Sequence, residues 1–146
     1  MGAAAGAAVT VALNTATYAD MALRARSGSN VPDEVAGIIA KRAGLDLGEG
    51  DTAANRKTGL DALMGYANGV GVGAAYGIIR PAFGKEVSVP WAAGLTLPST
   101  AGTEAPIAAT GVSGPTTWPA SSWAMALGFH LAYGLATAAV YEAFAG

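Results

Sequence analysis

Along the chain, long stretches without a formal charge surround one short, densely charged stretch. Residues 1–19, 62–79, 87–103 and 105–141 hold no Asp, Glu, Lys or Arg, whereas twelve of the eighteen charged side chains fall between Arg24 and Asp61. A helix needs about 20 mostly apolar residues to cross a bilayer core. The pattern therefore predicts an all-α polytopic membrane protein, one domain over residues 1–146, with four spans at roughly 2–23, 58–80, 88–110 and 120–144.

Each predicted span has its own polar signature. In the first, Thr10, Asn14 and Tyr18 recur every four residues and share a helix face. Asn14 falls near mid-membrane, where its amide needs a partner from another helix or from water. Asp20 and Arg24, four apart, suit an interfacial ion pair. The second span carries Gly65, Gly69, Gly73 and Gly77, three overlapping G-x-x-x-G units, with Asn68 beside the stripe and Tyr76 over it. Glycine at that spacing lets helix backbones approach closely, so the stripe predicts a helix-packing face. It serves equally within one chain or between copies.

The third span is interrupted by Pro90, Pro98 and Pro106. Pro90 can start a helix, while Pro98 and Pro106 each remove an internal hydrogen bond and predict kinks. Thr96, Ser99, Thr100 and Thr103 stand ready to satisfy the freed backbone groups. In the fourth span, His130, Tyr133, Thr137 and Tyr141 form one polar-aromatic stripe. Trp91, Trp118 and Trp123 stand at predicted span ends, as an aromatic belt requires.

The charged stretch 24–57 predicts one short amphipathic helix over 32–43. Ser29 or Asn30 caps it, Pro32 and the acids Asp33 and Glu34 open it, and Lys41 and Arg42 close it before Gly44. Val35, Ile38 and Ile39 share a face with Arg42, able to lie on the membrane or pack under the bundle. Gly44 to Asn55 reads as a polar loop. Six of the eight basic residues lie in this connection, against Arg80 and Lys85 in the next. The positive-inside rule places 24–57 in the cytoplasm, with both chain ends outside.

Composition sharpens the picture. Thirty-five alanines and 21 glycines leave a small-residue chain in which only 12% of residues are charged. A soluble alanine-rich bundle is the competing reading, but from Pro119 to Tyr141 only His130 besides tyrosine can ionise, so no solvated helix face can be drawn there. A cleaved signal peptide over 1–23 would need a basic segment before the apolar stretch. The net charge of −2 argues against nucleic acid as a partner.

Candidate chemistry is sparse. The chain has no cysteine and one histidine, so thiolate and histidine-rich metal sites are excluded within one chain. No G-x-S-x-G elbow occurs, and the glycine run 65–77 lacks the G-K-[ST] ending of a phosphate loop. No catalytic residue, cofactor or metal is predicted; a haem held by two copies of His130 would need a dimer. What remains is a polar path of Asn14, Asn68, Glu104, His130 and Tyr133. Glu104 and His130 are the ionisable residues placed inside spans, at depths about 6 Å apart. They can meet through their side chains, a tyrosine or a water.

The glycine-rich apolar hairpins and the H-x-x-Y-G of His130, Tyr133 and Gly134 resemble small four-helix bacterial inner-membrane proteins of unknown function, the YagU-like group among them. That resemblance implies a bacterial inner-membrane location and transfers no catalytic residue. The sequence thus leads to a small structural or accessory membrane subunit, docking through its glycine face to itself or to a larger membrane complex. The alternative is a homo-oligomeric channel or transporter whose polar path runs by Glu104 and His130. In either case the lipid bilayer is a partner.

Overall fold

The computed structural model describes residues 1–25, 27–83 and 89–145; Arg26, Lys85 and Glu86, which enter the charge map above, lie outside them. The described residues form an all-α fold of five helices without strands. These are α1 (Gly2–Arg24), α2 (Val31–Arg42), α3 (Gly50–Ile79), α4 (Val89–Thr110) and α5 (Ala120–Ala145). Short 3-10 turns follow α3 at Arg80–Phe83 and precede α5 at Pro115–Thr117.

The four long helices form an antiparallel bundle. Gly2 of α1 lies against Gly73 and Gly77 near the end of α3, and Gly6 lies against Gly69 and Gly73, so the two helices run in opposite directions. Ala92 near the start of α4 meets Gly134 in the second half of α5, giving a second antiparallel pair. One end of the bundle therefore gathers Gly2, Arg80 and Glu142. The other gathers the end of α1, the starts of α3 and α5, and α2.

Helix α2 follows the expected start and stop signals, with Pro32 in its first turn, Asp33 and Glu34 beside it, and Lys41 and Arg42 in its last. It packs under the bundle against α3 and α4. Val35, Ala36 and Ala40 are buried, Thr58 Oγ1 donates to Asp33 Oδ2 at 2.8 Å, and Arg42 Nη1 donates to the Ala109 carbonyl at 3.1 Å. The loop expected over Gly44 to Asn55 is shorter than predicted, because α3 already begins at Gly50. Asp51 in its first turn complements the helix dipole, and Ala53, Ala54, Arg56 and Lys57 are good helix formers. Gly44 and Gly48, both with φ of 74°, supply the left-handed turns that remain in the loop.

The four-span expectation is corrected to two helices. Gly50–Phe83, counting the turn after α3, and α5 are long and apolar enough to cross a membrane. Helices α1 and α4 have the length, at 23 and 22 residues, but their alanines, glycines, threonines and prolines add little hydropathy. Of the most apolar stretch in each spanning candidate, only 22% and 17% is buried inside the bundle. Leu63, Ile78, Met125 and Phe129 point outward.

Candidate functional site

The glycine stripe is an intramolecular seam. A Cβ placed on Gly73 would fall 2.7 Å from Gly6 N and 2.8 Å from Gly6 Cα; one on Gly77 would fall 3.0 Å from Gly2 Cα. Gly69 faces Thr10 and Tyr133, with a Cβ there 2.7 Å from Tyr133 Oη. Backbone-to-backbone contact of this kind is what small residues permit between helices. Three of the four predicted packing glycines are thus occupied by α1 of the same chain, whereas Gly65 faces open space. The partner half of the seam, Gly2, Gly6 and Thr10, is itself spaced by four. That signal is present in the sequence and goes unused in the sequence reading.

Tyr133 ties a third helix onto this seam. Its hydroxyl donates to the Gly6 carbonyl at 3.1 Å and lies 3.0 Å from Thr10 Oγ1. Thr10 Oγ1 in turn donates to the same carbonyl at 2.8 Å. One residue on, Gly134 brings α5 against α4, since a Cβ there would sit 2.8 Å from Ala92 O and 3.1 Å from Leu95 Cβ. The H-x-x-Y-G motif therefore joins α5 to two neighbours in consecutive positions.

Where the seam ends, the helices part around a cavity of about 470 Å³. Helix α1 contributes Thr10, Leu13, Asn14 and Thr17; α3 contributes Gly65, Asn68 and Gly69; α4 contributes Ser99 and Thr103; α5 contributes Phe129, His130 and Tyr133. From Thr10 to Thr17 the wall rises about 10 Å. Four of the five residues of the predicted polar path, Asn14, Asn68, His130 and Tyr133, meet here. Tyr18, expected on the same face of α1 as Asn14, points outward instead.

The fifth, Glu104, is not among the lining residues. Glu104 and His130 make no direct bond, though the two lie within electrostatic reach of each other. His130 Nδ1 lies 2.6 Å from the Ala126 carbonyl, a contact that requires Nδ1 to carry the proton and leaves Nε2 as the acceptor in the neutral ring. Glu104 Oε2 is buried without a hydrogen-bond partner, as is Thr100 Oγ1 four residues earlier. The α4 hydroxyls also depart from expectation. Pro98 and Pro106 free the carbonyls of Gly94 and Gly102, but Thr96, Ser99 and Thr103 donate to Ala93, Thr96 and Ser99.

A smaller cavity of about 140 Å³ continues toward α2. It shares Gly65, Asn68 and Thr103 with the larger one and is lined beyond them by Asp61, Val35 and Pro106, among others. Asn68 Nδ2 donates to Thr103 Oγ1 across a long 3.4 Å. This loose pair forms the partition between the two spaces. In the opposite direction, Thr10 and Tyr133 close the larger cavity, and beyond them the bundle is sealed. There Tyr76, 2% exposed, stacks edge-on with Tyr141 at 5.2 Å, and Arg80, 4% exposed, pairs with Glu142. Arg80, which by sequence position belongs to the connection after the second span, is thus paired across the bundle.

Tryptophans mark both bundle ends. Trp91 packs on Phe83 with ring centroids 4.0 Å apart, and Trp118 packs on Trp123 at 5.2 Å. Among the described residues no group of His, Asp or Glu is placed to hold a metal ion. No protein-family model, curated protein or solved structure matches the chain.

Proposed function

We propose that this chain is a small multi-pass inner-membrane protein whose four long helices enclose a water-accessible polar cavity, and that the cavity takes up a small polar solute from the α2 side for transport. One observation carries the reading. Hydroxyls, two amides and an imidazole from four helices converge on one space inside a bundle whose outer surface is apolar, the reverse of a soluble protein's arrangement. In this reading α1 and α4, although too weakly apolar to qualify alone, cross the membrane packed against α3 and α5. The short segment 111–119 and the charged segment 24–57 face the cytoplasm, as the basic residues favour. Helix α4, although unbroken, carries Pro98 and Pro106 beside this polar space, and proline-interrupted helices near polar sites are a feature of transporters. The accessory-subunit reading has less support, because the glycine face on which it rested already holds α1.

Thiol accessibility tests the proposal, and the cysteine-free chain allows single-cysteine variants. In native membranes opened to expose the α2 side, a water-soluble, membrane-impermeant thiol reagent should modify Asp51→Cys and Asn14→Cys. It should leave Leu97→Cys untouched, although Leu97 is 71% exposed on the bundle surface. Rapid modification of Leu97→Cys would place that surface in water rather than lipid. An inert Asn14→Cys would show that water does not reach the cavity.

A further inference from the structure

The cavity's chemistry is selective in what it omits. None of its twelve lining residues is Asp, Glu, Lys or Arg, and the one buried carboxylate oxygen nearby in sequence, on Glu104, belongs to a residue outside the lining. Asp61 lines the smaller cavity, and Glu104 lies within electrostatic reach of His130. In the larger space itself no carboxylate, ammonium or guanidinium stands in the wall, so an ion held there leaves water without a charged group in direct contact, at an effective penalty of several kcal/mol. A neutral solute has no such penalty. It needs its own polar groups met, since each buried unpaired one is costly.

The walls meet those needs in a particular way. Asn14 offers two N–H donors and a carbonyl acceptor, and Asn68 its carbonyl and the N–H not given to Thr103. Ser99, Thr103 and Tyr133, whose hydroxyl protons go to the Thr96, Ser99 and Gly6 carbonyls, offer acceptor lone pairs. His130, with its Nδ1 proton committed to the Ala126 carbonyl, presents an acceptor at Nε2. Leu13 and Phe129, 46% and 66% exposed on the bundle surface, edge the opening of the same space and suit C–H groups. A wall of mixed donors and acceptors beside apolar side chains matches a carbon chain bearing a hydroxyl on each carbon.

Resting on the cavity reading above, we infer that the site takes uncharged polyhydroxy solutes, from glycerol to a hexitol, with Asn14 and Asn68 as the residues that hydrogen-bond them. The volume of about 470 Å³ lies within the range of small-molecule sites. Asn68 also stands in the partition toward α2, so it both reads the solute and borders its path.

Proteoliposomes provide the test. Vesicles carrying the protein are shrunk by a sudden excess of glycerol, erythritol or sorbitol, and re-swelling is followed by light scattering; potassium and proton leak are measured on the same preparation. The expected result is re-swelling several-fold faster than in protein-free vesicles for at least one polyol, with ion leak unchanged. Asn68→Leu and Asn14→Leu should each return the rate to the protein-free value. Thr103→Val, which keeps the side chain's shape, serves where an asparagine variant does not insert, and should slow re-swelling. Ion or proton leak without polyol uptake would overturn the inference, as would polyol uptake indifferent to all three substitutions. Absence of any protein-dependent flux, with Asn14→Cys still water-accessible, would overturn this solute class while leaving the cavity itself in place.

Discussion

Adding one methyl group at successive glycines of α3 tests the seam directly. Gly65→Ala places its Cβ in open space, whereas Gly73→Ala places it 2.7 Å from Gly6 N and 2.8 Å from Gly6 Cα. Ordinary carbon contacts lie near 3.5–4.0 Å, so α1 must retreat by roughly 1 Å or the helices must shear. Both substitutions gain the same helix propensity, about 1 kcal/mol over glycine, and that gain cancels in their difference. What remains is overpacking at Gly73, which costs about 1–3 kcal/mol. At roughly 3 °C per kcal/mol for a chain of this size, the melting temperatures of the two variants in mild detergent should differ by about 3–9 °C, with Gly73→Ala the lower. The reciprocal variant Gly6→Ala should resemble Gly73→Ala. Combining the two should cost less than their sum, since one parting of the helices accommodates both methyls. Equal melting temperatures for Gly65→Ala and Gly73→Ala would refute an intramolecular seam. A change in particle size with Gly73→Ala but no change in melting would assign the stripe to contacts between copies.

Two further outcomes follow from the sealed end of the bundle. Arg80→Met alone should destabilise more than Arg80→Met combined with Glu142→Met, because the single change strands a half-buried carboxylate beside Tyr76; thermal melting of the three proteins decides it, and a double variant worse than the single would contradict the pairing. Tyr133→Phe should cost about 0.5–1.5 kcal/mol through loss of the bond to Gly6 O, and its effect should not add to that of Thr10→Val; strict additivity in a melting series would mean that the two hydroxyls do not act together.

Much of this architecture is legible from charge spacing alone. Helix α2 was bounded by Pro32, Asp33, Lys41 and Gly44, and the apolar stretches gave the long helices to within a few residues, except at the start of α3. There a cluster of Gly48, Gly50 and Asp51 imitates a loop while Ala53 to Lys57 already propagate the helix. Asn14, Asn68, His130 and Tyr133 stand out in the sequence because they are rare polar residues in apolar helices, and the fold brings the four to one cavity. Glu104 falls within electrostatic reach of His130 but outside the lining, because depth along a helix says nothing about rotation around it. The glycine face was visible on one helix only, as the α1 half mixes glycine with threonine. The charge pair Arg80–Glu142 joins residues 62 apart, beyond the reach of any local pattern.

The two sides of the cavity differ in stiffness. On one side α1 and α3 are locked backbone against backbone, so neither bends without the other. On the other side, α4 runs unbroken through Pro98 and Pro106, each of which omits a rung of its hydrogen-bond ladder, so the helix is held less firmly around Ser99 and Thr103, which stand between them. A change in the cavity's shape is therefore easier through α4 than through the α1–α3 pair. Because Thr103 faces Asn68 across their long bond, any displacement of the stretch between the two prolines would change the width of the gap toward α2.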